Sequence, residues 1–405
     1  MTVEICPGRA AGTVAAPPSK SMAHRLLICA GLSQGVSTIR GVDLNEDIAA
    51  TIDCLQALGA VCTVAGDTVT VRGIDPRKSR PQSVLCCRES GSTLRFFIPL
   101  ALLCGETVAF TGTEKLLSRP LEVYETLCAQ RGFDFCRQNG QLLVKGKPTA
   151  GVYKIPGDIS SQFITGLLFA LPLAAENSTI SITPPVESRS YVNLTLQALH
   201  AFGIRAKWQD AYTLTIPGNQ QYQPREMTVE GDYSGAAFFA ALNALGSHVQ
   251  ITGLDPDSLQ GDKVYEHHLK SICAGCPEID LTDCPDLGPV LFAAAAAKNG
   301  AVFTGTRRLK IKESDRATAM ALELAKFGVQ VTVEENRVTV AAGLHPPTQV
   351  LQGHNDHRIV MSLAVLLTLT GGQITGAQAV RKSFPDFFQR LEALGIEVIA
   401  HETDK

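Results

Sequence analysis

The sequence predicts an α/β fold of two domains, built from six copies of a strand–helix–strand–helix–strand–strand unit. Three observations predict it. A short strand bounded by glycine recurs along the chain, six helices are apolar on nearly every face, and amphipathic helices end at a glycine before two short strands. A helix that is apolar all round is buried. We therefore expect the strands to form sheets around these helices.

The recurring strand gives the number of units. Its copies are separated by 70, 72, 69, 54 and 71 residues, so the fourth copy is truncated. Such a period indicates an internal repeat. The copies are predicted to form two sets of three. They begin at Gly35, Gly105, Asn177, Gly246, Gly300 and Gly371.

The first apolar helix shows how each buried helix is expected to begin. Pro17 and Pro18 stop a strand, and Ser19 is a suitable N-cap. Similar polar turns occupy residues 89–95, 157–162, 231–235, 283–288 and 354–358. Capping explains the serines and aspartates there, but not the cations. Because a helix N-terminus attracts anions, the cations predict pockets for anionic groups. These cations are Lys20, Arg25, Arg95, His357 and Arg358.

The amphipathic helices and one polar segment predict the domain boundaries. Segments 51–59, 194–203 and 317–328 each end at a glycine, which is typical of a helix C-terminus. The polar segment 218–224 is the best break between the two sets of repeats. We expect one domain of residues 14–225 and a second of residues 1–13 with 226–405.

Composition excludes several classes of function. The chain has 405 residues, is 45% hydrophobic and carries a net charge of -3, which disfavours a nucleic-acid partner. The N-terminus lacks the basic start of a signal peptide, and the longest apolar run, Ile359–Leu369, is too short to span a bilayer. We therefore expect a cytoplasmic protein without a membrane partner.

The twelve cysteines are expected to be reduced in that compartment. A zinc site is one possible interpretation of Cys273 and Cys276, because His267, His268 and Cys284 are nearby in the sequence. A second closely spaced pair of ligands, which most zinc sites have, is missing. The alternative is that these thiols are small buried residues. We expect the same of the adjacent Cys86 and Cys87.

Eight short motifs, one near each helix start or strand end, carry a resemblance over the whole chain. In chain order they are Pro18-Ser19-Lys20-Ser21 with Arg25, Gly91-Ser92-Thr93-Leu94-Arg95, Leu117-Ser118-Arg119-Pro120, Gly157-Asp158-Ile159-Ser160-Ser161-Gln162, Pro285-Asp286, Lys312-Glu313-Ser314-Asp315-Arg316, Asp356-His357-Arg358 and Lys382-Ser383-Phe384-Pro385-Asp386. Together they resemble the 5-enolpyruvylshikimate-3-phosphate synthase family of enolpyruvyl transferases.

The resemblance implies a fold and a reaction. The fold is a two-domain inside-out α/β barrel whose halves close over the substrates. The reaction transfers the enolpyruvyl group of phosphoenolpyruvate to the 5-hydroxyl of shikimate 3-phosphate and releases phosphate, in aromatic amino acid biosynthesis. It proceeds by addition and elimination, without a metal or organic cofactor. The resemblance also implies small-molecule substrates only, a monomer, and competition between glyphosate and phosphoenolpyruvate.

The resemblance further implies the site residues. Asp286 corresponds to the base at the 5-hydroxyl, Glu313 to the acid at the methylene carbon, and His357 to an accessory catalytic residue. Lys20 bridges both substrates and is also a catalytic residue. Phosphoenolpyruvate is held by Lys20, Gly91, Arg119, Gln162, Arg316, Arg358 and Lys382. Shikimate 3-phosphate is held by Lys20, Ser21, Arg25, Ser160, Ser161, Gln162, Ser188 and Lys312.

Simpler roles stay open for several of these residues. Asp286 could cap the fifth buried helix, and His357 could be a core histidine. The charged segment 312–316 could be an exposed helix start. Asp47 and Asp315 are expected to be structural cap or hinge carboxylates rather than catalysts.

Two other functions also stay open. One is UDP-N-acetylglucosamine enolpyruvyl transferase, although Ser21 replaces its usual asparagine and segment 113–119 lacks its reactive cysteine. The other is a non-catalytic phosphometabolite-binding protein, which would not need both Asp286 and Glu313.

Overall fold

The computed structural model describes residues 1–81 and 83–401. The strands in chain order are β1 (Thr2–Ile5), β2 (Ala11–Ala15), β3 (Val36–Arg40), β4 (Val61–Ala65), β5 (Thr68–Arg72), β6 (Leu85–Cys86), β7 (Val108–Thr111), β8 (Asp134–Gln138), β9 (Gln141–Lys145), β10 (Gly151–Pro156), β11 (Ser178–Thr183), β12 (Lys207–Trp208), β13 (Thr213–Ile216), β14 (Glu226–Thr228), β15 (His248–Thr252), β16 (Glu278–Asp280), β17 (Ala301–Thr304), β18 (Val331–Val333), β19 (Arg337–Val340), β20 (Leu351–Gln352), β21 (Gly372–Thr375) and β22 (Val398–His401).

The α-helices in chain order are α1 (Lys20–Leu32), α2 (Glu46–Ala57), α3 (Gly91–Leu102), α4 (Glu114–Leu117), α5 (Glu122–Arg131), α6 (Ser161–Ala170), α7 (Arg189–Ala201), α8 (Tyr233–Ala244), α9 (Tyr265–Ala274), α10 (Gly288–Ala297), α11 (Arg316–Lys326), α12 (His357–Thr370) and α13 (Phe387–Ala393). Short 3-10 turns lie at Leu171–Leu173, Gly261–Val264, Pro285–Leu287, Arg307–Ile311 and Ala377–Lys382.

The chain divides into two compact units. Residues 18–230 form the first unit, and residues 1–17 with those from 231 onward form the second. The expected boundaries lie after residues 13 and 225, slightly earlier in the chain. Each unit has its own hydrophobic core, and the helices predicted to be apolar all round lie within these cores.

Three four-stranded sheets surround the core of the first unit. Their strand orders are β14-β3-β5-β4, β6-β7-β9-β8 and β10-β11-β13-β12. In each sheet the first pair is parallel and the other pairs are antiparallel. The buried helices α1, α3 and α6 are those predicted from the apolar runs. Their starts carry the polar residues described below.

The second unit repeats this plan with one short sheet. Two four-stranded sheets have the orders β16-β17-β19-β18 and β20-β21-β1-β22, and β2 pairs with β15 alone. The two-stranded sheet is the truncated fourth repeat that the spacing predicts. The N-terminal strand β1 lies between β21 and β22 and pairs antiparallel with both, so it completes the sixth repeat. The buried helices are α8, α10 and α12.

Two strands belong to a different unit from the helix that follows them in the chain, and the local sequence pattern does not predict this. The strand β2 directly precedes α1 but pairs with β15 of the second unit. Conversely, β14 directly precedes α8 but pairs with β3 of the first unit. Because paired strands share backbone hydrogen bonds, each belongs with its partner rather than with the helix that follows it. The chain therefore changes unit at Pro17–Pro18 and Glu230–Gly231.

Five of the six buried helices begin at a side-chain cap. The capping residues, each accepting a backbone N–H bond from the first turn, are Ser19, Ser90, Ser160, Asp232 and Asp356. The exception is α10, which follows the 3-10 turn Pro285–Leu287 and has no side-chain cap. The possibility that Asp286 caps this helix is therefore wrong.

The cysteines only partly follow the expectation of burial. Cys87 and Cys284 are buried, but Cys86, Cys273 and Cys276 are exposed, so the expectation is wrong for these three. Cys273 and Cys276 lie on the surface because α9 ends at Ala274 and packs through its other face. Within the described residues, no three His, Cys, Asp or Glu side chains come together as a metal site would require.

None of the described helices combines the length and the apolar character needed to cross a bilayer.

Candidate active site

The predicted site residues of the first unit gather around the starts of α1, α3 and α6. We call Lys20, Ser21, Arg25, Gly91, Arg95, Arg119, Ser160, Ser161, Gln162 and Ser188 the Lys20 cluster. Lys20 is the first residue of α1, and its Nζ lies 2.8 Å from Oδ2 of Asp47. Asp47 is therefore the counter-ion of Lys20. It is not the cap of α2, which is Asn45, so the expectation of a capping role is wrong.

Arg25 is a buried cation one turn into α1. Its Nε donates to Thr195 Oγ1 at 2.9 Å, and its two terminal nitrogens donate to the carbonyl oxygens of Ser21, at 2.6 Å, and Tyr191, at 3.0 Å. Burial lowers the pKa of Arg25 to about 10, so the guanidinium is charged at neutral pH. A buried cation without a carboxylate among these partners favours an anionic ligand.

Gly91 allows two arginines to approach the start of α3. A Cβ atom at this position would lie 2.6 Å from Nη1 of Arg119 and 3.2 Å from Nη1 of Arg95. The Nε atom of Arg119 is buried and has no hydrogen-bond partner among the described residues. The two guanidiniums therefore lie against a backbone whose free N–H groups also attract anions.

Gln162 connects the starts of α6 and α3. Its Oε1 accepts a 2.7 Å hydrogen bond from Arg95 Nη1, and its Nε2 donates a 2.9 Å hydrogen bond to Ser92 Oγ. Ser160 caps α6 by accepting from the N–H of Gln162, and Ser161 is the buried first residue of that helix. These hydroxyl and amide groups provide neutral hydrogen-bonding partners beside the cations.

Ser188 lies immediately before α7 in the left-handed region, with φ of 55° and ψ of 41°. It is buried, and its carbonyl oxygen accepts from the N–H of Tyr191 at 3.1 Å. Tyr191 in turn accepts from Arg25, so Ser188 belongs to the same cluster. A non-glycine residue in this conformation is typical of a functional site.

The predicted residues of the second unit form a network of charges around Arg316. We call Asp286, Lys312, Glu313, Arg316, Asp356, His357, Arg358 and Lys382 the Asp286 cluster. Arg316 is 1% exposed and donates to three carboxylates. The shortest contacts of its guanidinium are 2.7 Å to Glu313, 2.9 Å to Asp286 and 2.9 Å to Asp356. Although burial opposes ionisation, these carboxylates raise the pKa of Arg316.

Asp286 accepts contacts from three cations. Its Oδ1 lies 2.9 Å from Arg316 Nη1 and 3.1 Å from Lys312 Nζ, and its Oδ2 lies 3.1 Å from Arg358 Nη2. Burial favours the neutral acid, but Arg358, Lys312 and Arg316 outweigh it and hold the pKa of Asp286 well below its ordinary value. The carboxylate is therefore ionised and can accept a proton.

Segment 312–316 is not a solvated helix start, because Arg316 is buried and Lys312 and Glu313 both contact partners within the cluster. Burial lowers the pKa of Lys312, against the opposing effect of Asp286. This interpretation of the charged segment is therefore wrong.

The start of α12 supplies the remaining groups of the cluster. Asp356 is fully buried, accepts from the N–H of Arg358 at 3.0 Å and receives the Ser314 hydroxyl at 3.0 Å. His357 is the buried first residue of α12. Lys382, also buried, donates to the carbonyl oxygen of Asn355 at 2.9 Å.

The sequence motifs did not identify one carboxylate of this region, Asp262. Asp262 is buried in the 3-10 turn Gly261–Val264 and accepts a hydrogen bond from the Ser234 hydroxyl. Burial, together with the charge of Asp286, raises the pKa of Asp262 to about 7, and Arg358 opposes the shift. No motif marks Asp262, because a single aspartate after a glycine has no distinctive spacing. Asp356 lies within a motif, but its contacts with Arg316 are visible only in three dimensions.

Chemically, each cluster places cations at buried helix starts, and the Lys20 cluster adds neutral donors, which suits ligands that carry phosphate and carboxylate groups. The Asp286 cluster adds an ionised carboxylate and a second carboxylate, Glu313, which are the groups needed for proton transfer. The fold and the two clusters thus define a repeat-built α/β protein whose charged helix starts suit small polyanionic ligands.

Comparison with known proteins gives a narrower class. The family model described as EPSP synthase (3-phosphoshikimate 1-carboxyvinyltransferase) matches residues 6–391. A Clostridium kluyveri protein with the name 3-phosphoshikimate 1-carboxyvinyltransferase is 39% identical, with 98% of both chains covered. A Clostridium perfringens protein of the same name is 38% identical over 97% of this chain and 98% of its own. A solved structure of EPSP synthase from Acinetobacter baumannii is similar in fold, with a TM-score of 0.78 and 23% identity, covering 98% of this chain and 100% of that one.

The chain belongs to the EPSP synthase family, whose members are transferases. The family and the two-domain α/β fold class predicted from the motifs are therefore confirmed. The sequence left two enolpyruvyl transferase functions open. Membership of the EPSP synthase family favours the one that acts on shikimate 3-phosphate over the one that acts on UDP-N-acetylglucosamine.

Proposed function

We propose that this chain transfers the enolpyruvyl group of phosphoenolpyruvate to the 5-hydroxyl of shikimate 3-phosphate and releases phosphate. The observation that carries the proposal is the ionised Asp286 carboxylate, held by Lys312, Arg316 and Arg358 beside a second carboxylate, Glu313. Family membership supplies the substrates. The reaction is a step in aromatic amino acid biosynthesis.

Addition begins with the proton of the 5-hydroxyl. Asp286 accepts this proton as the oxygen attacks C2 of phosphoenolpyruvate, and Glu313 donates a proton to the methylene carbon C3. The double bond is lost and a tetrahedral ketal phosphate forms. In the elimination step the Glu313 carboxylate takes back a proton from the new methyl group and the double bond returns. The C2–O bond to phosphate breaks as Asp286 gives its proton to the leaving phosphate, so both carboxyl groups regain their starting states. His357 is an accessory residue at the same helix start as Arg358.

The cations of the Asp286 cluster link substrate binding to proton transfer. An anionic substrate would share Arg316, Arg358 and Lys312 with Asp286. The carboxylate would then lose part of the attraction that holds its pKa low, so its proton affinity would rise. The same sharing at Arg316 would weaken its 2.7 Å contact with Glu313, which favours the protonated acid that the reaction needs.

We propose that the two clusters serve one reaction. Phosphoenolpyruvate would be held by Lys20, Gly91, Arg119, Gln162, Arg316, Arg358 and Lys382. Shikimate 3-phosphate would be held by Lys20, Ser21, Arg25, Ser160, Ser161, Gln162, Ser188 and Lys312. Two carboxylates and several guanidiniums are sufficient for these steps, so the proposal includes no metal or organic cofactor. We further propose a cytoplasmic monomer with no nucleic-acid or membrane partner.

The test is a continuous assay of phosphate release, with the product identified by phosphorus NMR. We expect release only when phosphoenolpyruvate and shikimate 3-phosphate are both present, in equal amounts with the enolpyruvyl product. Release with UDP-N-acetylglucosamine in place of shikimate 3-phosphate would support the other enolpyruvyl transferase. Binding of both substrates without release would support a non-catalytic binding protein.

A further inference from the structure

Glu323 is a buried carboxylate with no part in the proposed chemistry. It lies near the end of α11, the helix that begins at Arg316, and is 2% exposed. Burying a carboxylate is unfavourable unless hydrogen bonds and opposite charges compensate for the lost water. The partners of Glu323 therefore indicate what this residue holds in place.

Both oxygens of Glu323 have partners, and most come from the chain segment that leads to α12. Oε1 contacts His354 Nε2 at 2.7 Å. Oε2 accepts from the backbone N–H of Gln352 at 2.9 Å and from Lys326 Nζ at 2.8 Å. Lys326 also donates to the carbonyl oxygen of Val350 at 3.1 Å. Glu323 thus ties α11 to the segment 350–354.

The segment continues into an unusual turn. His354 and Asn355 are consecutive non-glycine residues in the left-handed region, with φ of 49° and 52°. Such residues persist only where their surroundings enforce the conformation. The 2.7 Å contact with Glu323 fixes the side chain of the first of them. On the other side, Gly353 donates its N–H to the carbonyl oxygen of Thr375 at 2.8 Å.

This turn presents two groups to the Asp286 cluster. The carbonyl oxygen of Asn355 accepts the 2.9 Å hydrogen bond from Lys382 Nζ. The next residue, Asp356, places its carboxylate on Arg316 Nε at 2.9 Å. Both cations are assigned to phosphoenolpyruvate in the proposed function. The geometry of the turn therefore sets where they lie.

We propose that Glu323 and His354 are positioning residues for the phosphoenolpyruvate subsite. They hold the left-handed turn, and the turn holds Lys382 and Arg316. This inference rests on the proposed function, since it assigns these two cations to phosphoenolpyruvate. A loss of the Glu323–His354 contact moves both cations without removing either, while the Lys20 cluster keeps its own contacts.

The experiment compares steady-state kinetics of Glu323→Gln, His354→Gly and wild type. The amide of Glu323→Gln brings an N–H₂ group into a site that is otherwise filled by donors. His354→Gly removes the imidazole but keeps a residue that adopts positive φ easily. We expect both variants to raise the KM for phosphoenolpyruvate about tenfold, since small displacements of binding groups have effects of this order. The KM for shikimate 3-phosphate should stay within about twofold of wild type.

The matched control is Glu335→Gln, an exposed carboxylate in the hairpin of the same unit, which should leave both constants unchanged. Equal changes in the two KM values, or no change in either, would overturn the proposal. If Glu323→Gln does not fold, His354→Gly alone decides between these outcomes. Wild-type protein without transferase activity would instead contradict the proposed function, so the two failures are distinguishable.

Discussion

Arg316 and Asp286 form a 2.9 Å ion pair in which the arginine is almost fully buried and the aspartate stays partly accessible. Arg316 also holds Asp356 and Glu313, so one guanidinium orients the carboxylates of the cluster on three sides. The accessible carboxylate of this pair is the one that the proposed reaction uses. The buried partner makes it rigid, and the surrounding cations keep it ionised.

The first prediction concerns Arg316→Met. The substitution leaves three carboxylates close together without their shared cation, and Asp356 cannot reach water. Removing one partner of a buried ion pair typically destabilises a protein by about 3–5 kcal/mol. We expect a loss of this size in the free energy of unfolding, measured by urea denaturation at pH 7. Arg337→Met removes an exposed pair with Glu278 in the same unit and should cost no more than about 1 kcal/mol. Equal losses in the two variants would contradict this account of Arg316.

The second prediction concerns acid. The pKa of Asp286 and that of Asp356 lie below their ordinary value of 3.8 in the folded protein. Their contribution to stability is therefore complete above about pH 4 and is lost as the pH falls towards their folded values. Each group accounts for up to about 1.4 kcal/mol per pH unit in that window. The slope of unfolding free energy against pH should become shallower in Asp286→Asn. The exposed control Asp134→Asn should keep the wild-type slope. A wild-type slope in Asp286→Asn as well would contradict the prediction.

The third prediction concerns Gly91→Ala and glyphosate, which competes with phosphoenolpyruvate in this family. The new Cβ atom would meet Nη1 of Arg119 at 2.6 Å, so that guanidinium must move. We expect the KM for phosphoenolpyruvate to rise, and the inhibition constant of glyphosate to rise further because the longer inhibitor reaches closer to this backbone. Inhibition is measured against varied phosphoenolpyruvate with shikimate 3-phosphate saturating. Gly275→Ala, at a glycine with open space around it, is the control. Equal weakening of both ligands would show that Gly91 does not discriminate between them.

Local rules were enough to predict much of the fold and the helix starts. Ser19, Ser90 and Ser160 cap their helices as the polar turns indicated, because a cap depends on residues within one turn. The exchange of β2 and β14 between the units could not be predicted. Each strand lies beside a helix in sequence but pairs with a strand more than 180 residues away. Nothing in the local pattern specifies so distant a partner.

In the site, too, the sequence motifs identify some residues, whereas others are recognised only from their contacts in the structure. Asp286, Arg316 and Arg358 lie in recognisable motifs, and the structure brings them together. Asp262 and Glu323 are single carboxylates without a motif, and only the three-dimensional structure shows that they are buried and hydrogen-bonded. The exposure of Cys273 and Cys276 likewise depends on which face of α9 packs against the unit.

The last prediction concerns Asp286, which is central to the proposed reaction. Asp286→Ala removes the base but none of the residues that the proposed function assigns to holding shikimate 3-phosphate. General acid–base groups typically contribute about 10²–10⁴-fold to rate. We therefore expect turnover to fall by that factor, while the Kd of shikimate 3-phosphate, measured by calorimetry, stays close to wild type.

The most direct test is the turnover number of Asp286→Ala at saturating concentrations of both substrates, compared with that of wild type on the same day and at the same pH. The role of Asp286 as the base predicts a loss of at least about a hundredfold. Turnover within about twofold of wild type would contradict it, since the carboxylate would then be only a partner for the surrounding cations.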